Sequence, residues 1–98
     1  MKHSTARIET DRASIYLQQL CKHFAHKRPV EFTPAEGAIR FDIGTCRVEA
    51  KDHVLTLRAE AASDAELAQL QGVVDRHLLR FAFRDPPSIA WQPAVETA

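Results

Sequence analysis

Ala38-Ile39-Arg40-Phe41-Asp42-Ile43-Gly44-Thr45-Cys46-Arg47-Val48-Glu49-Ala50-Lys51-Asp52-His53-Val54-Leu55-Thr56-Leu57-Arg58-Ala59-Glu60 is three runs of alternating apolar and polar residues separated by two turn pairs. A period of two is the mark of a strand with one face buried and one face wet. Gly44-Thr45 predicts a type II′ hairpin, and Asp52-His53 closes the next one. Upstream, residues 30–33 read as a further strand, joined through the turn cluster Pro34-Ala35-Glu36-Gly37. The predicted strands are therefore 30–33, 38–43, 46–51 and 54–60, a four-strand antiparallel meander.

Those turns imply a register. Phe32 faces Ile39, then Ala50, then Leu55. Val30 faces Phe41, Val48 and Leu57, while Ile43 faces Cys46 and Ala59. All of these are apolar, so alternation collects them on one face. The other face carries Glu31, Arg40, Glu49 and Thr56 in one row, with Asp42 opposite Arg47. Opposite charges across antiparallel strands are worth about 0.2–1 kcal/mol per pair.

Working outward, residues 5–9 alternate as a short first strand with Ala6 and Ile8 on one side. Thr10 or Asp11 offers an N-cap oxygen for a helix over 11–26, which Pro29 brings to a close. At 3.6 residues per turn, Ala13, Tyr16, Leu17, Leu20, Cys21 and Phe24 share one face. Past the meander, Ser63 and Glu66 form a capping-box pair opening a second helix. That helix places Leu67, Leu70, Val73, Val74, His77, Leu78 and Phe81 on one stripe and stops near Phe83, before Pro86-Pro87. Residues 88–91 read as a short last strand, with Ile89 and Trp91 on one side. The predicted architecture is β-α-β-β-β-β-α-β, an α+β two-layer sandwich with both helices on the apolar face of the sheet. The first and last strands are free either to pair with each other or to extend opposite edges.

The 98 residues form a single domain, 1–98, with an ordered core over about 5–91 and a loose tail over 93–98. Thirteen basic and thirteen acidic side chains cancel, which removes the electrostatic footprint of a nucleic-acid binder. No apolar run approaches the roughly 20 residues needed to span a bilayer, so no membrane partner is expected. Met1-Lys2-His3-Ser4-Thr5 has no apolar segment behind its positive charge, so a cytoplasmic location with reduced Cys21 and Cys46 is the expectation.

Chemistry-bearing residues gather in Leu20-Cys21-Lys22-His23-Phe24-Ala25-His26-Lys27. On a helix Cys21 and His23 point about 160° apart and cannot share one ion. Cys21 therefore reads as a small core residue. His23 and His26, three apart, share a side but make only half of a metal site. His77 falls inside the apolar arc of the second helix, where an imidazole needs hydrogen-bond partners. Either it bonds a backbone carbonyl or carboxylate within the core, or it is a ligand or proton carrier that meets His23 between the helices. Arg76, Arg80 and Arg84 recur every four residues and, with Lys22, Lys27 and Arg28, outline either a solvated stripe or an anion-binding patch. Phosphate loops, nucleophile elbows, CxxC and HExxH motifs are missing, and no residue is predicted to be catalytic.

Leu20-Cys21-Lys22-His23-Phe24-x-His26-Lys27, Gly44-x-Cys46, His77-Leu78-x-Arg80-Phe81-Ala82-Phe83-Arg84 and Trp91 together resemble the bacterial family called domain of unknown function 2218. The resemblance runs from about Thr5 to Trp91. It implies a small stand-alone bacterial protein and an association with iron and siderophore utilisation. It adds weight to His23, His26 and His77, which with Arg80 and Arg84 of the arginine stripe are the ligand-binding candidates, the three histidines being also the metal candidates. Two functions follow as expectations. One is a non-catalytic accessory module binding a metal or an anionic iron chelate. The other is a protein-interaction or homodimerisation module using a sheet edge or the charged sheet face, its oligomeric state open.

Overall fold

A computed structural model of the chain describes residues 2–80 and 89–93. The elements run β1 (Lys2–Glu9), α1 (Ala13–Ala25), β2 (Val30–Phe32), β3 (Glu36–Phe41), β4 (Gly44–Lys51), β5 (Val54–Ala61), α2 (Asp64–Leu79) and β6 (Gln92–Pro93). They build one six-stranded antiparallel sheet in the order β2-β3-β4-β5-β1-β6. Both helices pack on one face, giving the expected two-layer α+β sandwich. The first strand is longer than predicted: β1 pairs with β5 along eight positions, from Lys2↔Ala61 to Glu9↔Val54. It also carries β6 on its other side through Ser4↔Pro93 and Thr5↔Gln92. The first and last strands thus pair with each other and together extend the β5 edge. Proline suits that outermost strand because it has no N–H to leave unpaired.

Parity survives everywhere, but register does not. Between β4 and β5 the predicted partners hold: Cys46↔Ala59, Val48↔Leu57 and Ala50↔Leu55. The turn there takes φ of 51° at Asp52 and 60° at His53, the left-handed pair of a type I′ hairpin. Between β3 and β4 the partners are Ile39↔Cys46 and Phe41↔Gly44, four residues away from the prediction. The two turn residues are Asp42-Ile43, and Gly44 is the first residue of β4. Between β2 and β3 Val30 pairs with Ile39, a shift of two. Here Thr33 does what Gly37 was expected to do. Its Oγ1 accepts from the N–H groups of Ala35 and Glu36, both at 3.2 Å, and its own N–H donates to the Glu36 carbonyl at 2.7 Å. The loop closes earlier, and Gly37 moves into β3.

These even-numbered slips leave the core face intact. Ala6, Ile8, Ile39, Cys46, Val48, Leu55, Leu57, Ala59 and Ala61 meet Leu17, Leu20, Cys21, Phe24, Leu67, Leu70, Val74 and Leu78 in one buried cluster. On the charged face the slips rewrite the pairs. The unshifted β4–β5 ladder keeps Glu49 opposite Thr56 and sets Arg47 opposite Arg58, while the β3–β4 slip brings Glu36 opposite Glu49. Arg40 still reaches Glu31 at 3.7 Å, whereas Asp42 pairs with Arg28 at 3.0 Å instead of Arg47.

Helix α1 begins at Ala13, two residues later than predicted, because Thr10 Oγ1 accepts from the Arg12 N–H and holds residues 11–12 in a turn. It ends at Ala25, and the N–H groups of Lys27 and Arg28 both donate to the Phe24 carbonyl before Pro29. Ser63 caps α2 as predicted, accepting from the Glu66 N–H at 3.2 Å and donating to the Glu66 carboxylate at 3.1 Å. The described part of α2 reaches Leu79. Its predicted continuation to Phe83 lies outside the described residues, as does Ser88. The predicted strand over 88–91 appears instead at Gln92–Pro93. Trp91 packs against the core just before β6, its indole N–H donating to Asp75 of α2 at 2.8 Å. Ser4, the one buried polar side chain in the described core, accepts from Gln71 and ties α2 to β1.

Candidate functional site

A cleft of about 520 Å³ opens where the C-terminal end of α1, the middle of α2 and the β3–β4 turn meet. α1 contributes His23 and Phe24, and the segment after it contributes His26, Lys27 and Arg28. α2 contributes Gln69, Val73 and His77, and the turn supplies Phe41, Asp42 and Ile43. Its volume falls within the range of small-molecule sites.

The floor is a cluster of four rings. Phe24 is buried because it ends the apolar stripe of α1, and it meets Phe41 edge-on with centroids 5.0 Å apart. His77 lies 4.7 Å from Phe24, and His23 lies 5.2 Å from it. The two imidazoles are 4.8 Å apart, centroid to centroid, and tilted by 46°. The carbonyl-bonded reading of His77 is what the structure shows, and the ring meets His23 as well. The Nδ1 atom of His77 lies 2.6 Å from the Val73 carbonyl, one turn back on α2. A carbonyl only accepts, so Nδ1 carries the proton. The half-buried ring also meets His23 across the helix junction. The Nε2 atom lies on the far side of the ring from that hydrogen bond.

The rim is cationic. His23 is exposed, yet its pKa is held below the ordinary histidine value. Desolvation is the main cause, followed by the charges of His77, Arg80, His26 and Lys27. His26 and Lys27 line the same cleft as His23, and the charge of Arg80 acts on His23 from the end of α2. Arg28 is anchored to Asp42. Arg84 lies outside the described residues.

The three-histidine metal site is a correction. Among the described residues no group of three or more His, Cys, Asp or Glu side chains is arranged to hold a metal ion. His26 is the C-cap of α1, still with helical φ and ψ of -67° and -24°, and it lines the same cleft as His23 and His77. Cys21 and Cys46 are both fully buried free thiols, with pKa values raised by burial to about 11 and about 12. They are packing residues near each other, with none of the electropositive exposure a reactive thiol needs.

Sequence reasoning had named His23, His26, His77, Lys27, Arg28 and Arg80. It missed Phe41, Asp42 and Ile43, because the turn was placed two residues too late. It also missed Gln69, which carries no local signal. A shallower hollow of about 450 Å³ lies on the open face, around Ala38 and Thr56 and between Arg47 and Arg58 on one side and Glu31, Glu36 and Glu49 on the other.

What these features define is a two-layer α+β domain with a ligand-sized cleft at its helix junction, aromatic below and cationic above. The chain belongs to the bacterial family described as "Uncharacterized protein conserved in bacteria (DUF2218)", whose model matches residues 5–92. It is similar to PA4090 from Pseudomonas aeruginosa, known from an NMR structure, with 38% sequence identity and a TM-score of 0.82. That match covers 98% of this chain and 100% of the other. No curated protein matches the chain. None of the described helices is long and apolar enough to cross a membrane.

Proposed function

We propose that this protein is a non-catalytic binding module of the bacterial cytoplasm that takes a small anionic ligand with aromatic character in the His23/His77 cleft. The observation that carries the reading is the joining of four edge-on or tilted rings to a rim of cations in one cleft. Apolar rings provide non-directional burial, and the cations set the sign of the ligand. The family resemblance makes an anionic iron chelate of the siderophore kind the first ligand to try, since a catecholate complex combines negative charge with flat rings.

The probe is gallium(III) tris-catecholate, a diamagnetic stand-in for the ferric complex, titrated into ¹⁵N-labelled protein. Amide shifts confined to the end of α1, to residues 41–43 and to Val73 and His77 are expected, weakened by charge reversal in Lys27→Glu. Unmoved resonances there at millimolar complex would end this reading.

The second reading, a protein-interaction or homodimer module, is favoured by the open sheet face. Arg47 opposite Arg58 and Glu36 opposite Glu49 place like charges across neighbouring strands, an unfavourable arrangement that a partner of complementary pattern would relieve. Light scattering over a range of salt concentrations tests it: a monomer at every concentration and ionic strength excludes the homodimer.

A further inference from the structure

His23 and His77 come from different helices, 54 positions apart in the chain numbering, yet their centroids are 4.8 Å apart. A metal bonded at roughly 2.0–2.1 Å to a ring nitrogen lies about 3.2 Å from that ring's centroid. Two centroids at this spacing would then subtend an angle of about 95–100° at a common metal, close to a cis pair in an octahedral or tetrahedral shell. His77 is also oriented as metal-bound histidines usually are: Nδ1–H donates to a backbone carbonyl at 2.6 Å, which leaves Nε2 to present its lone pair.

Two imidazoles are half a coordination shell, and no third His, Cys, Asp or Glu among the described residues completes it. The remaining ligands must come with the metal. The lining says in what form, because Lys27 and Arg28 line the same cleft as the two imidazoles. Their field repels a bare dication and attracts an anion.

We infer that His23 and His77 form a cis bis-imidazole receptor for a transition-metal ion carried inside an anionic chelate that has two exchangeable coordination positions. Two water ligands leave the metal, two metal–nitrogen bonds form, and no electron or proton changes hands. This rests on the anion-binding reading above and adds direct contact with the metal.

The test compares two nickel(II) chelates on tag-free protein by calorimetry near neutral pH. Nickel nitrilotriacetate is a singly charged anion with two exchangeable cis positions, and nickel ethylenediaminetetraacetate is a more negative anion with its shell filled. The expected result is a preference for the nitrilotriacetate complex on the order of tenfold or more. His23→Ala and His77→Phe should each abolish that preference and His26→Ala should leave it, with paramagnetic broadening centred on Phe24, His23 and His77. The exposed His23 is replaceable without disturbing the core, so His23→Ala decides the matter if His77→Phe fails to fold. Equal binding of both chelates in the cleft overturns metal contact and leaves the anion-binding reading standing. A preference that survives His23→Ala, or vanishes in His26→Ala, also overturns it. Binding of the nitrilotriacetate complex alone, competed by free imidazole, upholds the bis-imidazole receptor against the simpler anion reading. No binding of either chelate overturns both.

Discussion

Replacing Gly44 tests the register that shapes the cleft, because Asp42 and Ile43, just ahead of it, are part of the cleft wall. A Cβ built on Gly44 would lie 2.1 Å from the backbone carbonyl oxygen of Glu60 and 3.1 Å from Leu70 Cδ2. The clash is with backbone, so a side-chain rotation cannot relieve it. Strands β4 and β5 must separate locally by about 1 Å to restore van der Waals contact, enough to break a ladder hydrogen bond of ordinary length. Overpacking costs about 1–3 kcal/mol and a lost hydrogen bond about 0.5–1.5 kcal/mol, so Gly44→Ala is expected to cost about 2–4 kcal/mol. A domain of this size is stable by about 5–15 kcal/mol, and the melting temperature should fall by about 10–30 °C. Urea unfolding with an unchanged m-value is the assay. None of the described glycines has a positive φ, so Gly44 is needed for close approach and not for turn geometry. Gly44→Asn separates the two explanations. A turn glycine tolerates asparagine, whereas here asparagine should be at least as damaging as alanine. Near-wild-type stability of either variant, or an asparagine variant clearly better than the alanine one, would refute the argument.

Three further outcomes are expected. Asp75 has its carboxyl pushed up from the ordinary value by burial, against the hydrogen bond from Trp91 and the charge of Arg76. The raised pKa means stability falls as pH rises from the unfolded value through the folded one, so the penalty is fully present at neutral pH. Asp75→Asn removes it while keeping an acceptor for Trp91 and should be at least as stable at pH 7; Asp75→Leu should lose about 1 kcal/mol and shift the emission of the single tryptophan. For His23 the folded pKa is lowered, so stability present above about pH 6.5 is lost as pH falls towards the folded value, and His23→Ala should flatten that limb of the stability–pH curve. With thiol pKa values of about 11 and about 12, Cys21 and Cys46 should resist a disulfide reagent at pH 8 in the native protein and react fully in urea; stoichiometric native labelling would contradict the packing role.

The legible and illegible parts of the site divide along the same line as those of the fold. The sequence put His23 and His77 on the correct helices and Lys27, Arg28 and Arg80 just past their C-terminal ends, because helical periodicity is local. Of the two roles it offered for His77, the carbonyl bond to Val73 is present, and the ring contacts His23 as well. His23, His26 and His77 line one cleft, but among the described residues no group of three such side chains is arranged to hold a metal ion. Phe41, Asp42 and Ile43 were misplaced by a turn assignment that treated Gly44 as a φ requirement, when its actual constraint is the carbonyl of Glu60, sixteen residues away.

By itself, then, the sequence determined the element types, the buried side of each strand and helix, the cap at Ser63, and the β4–β5 register, whose turn pair has its own left-handed signature. Only the tertiary structure decided how far β2 and β3 slide and that β1 lies between β5 and β6. It alone brought His23 and His77 into contact over Phe24. The physical reason is the period of two. A slip of two or four residues returns every side chain to the same face, so the hydrophobic pattern is blind to it. The choice falls to contacts between distant segments: Gly37 beneath the sulfur of Cys21, where a Cβ would come within 2.8 Å, and Gly44 against Glu60.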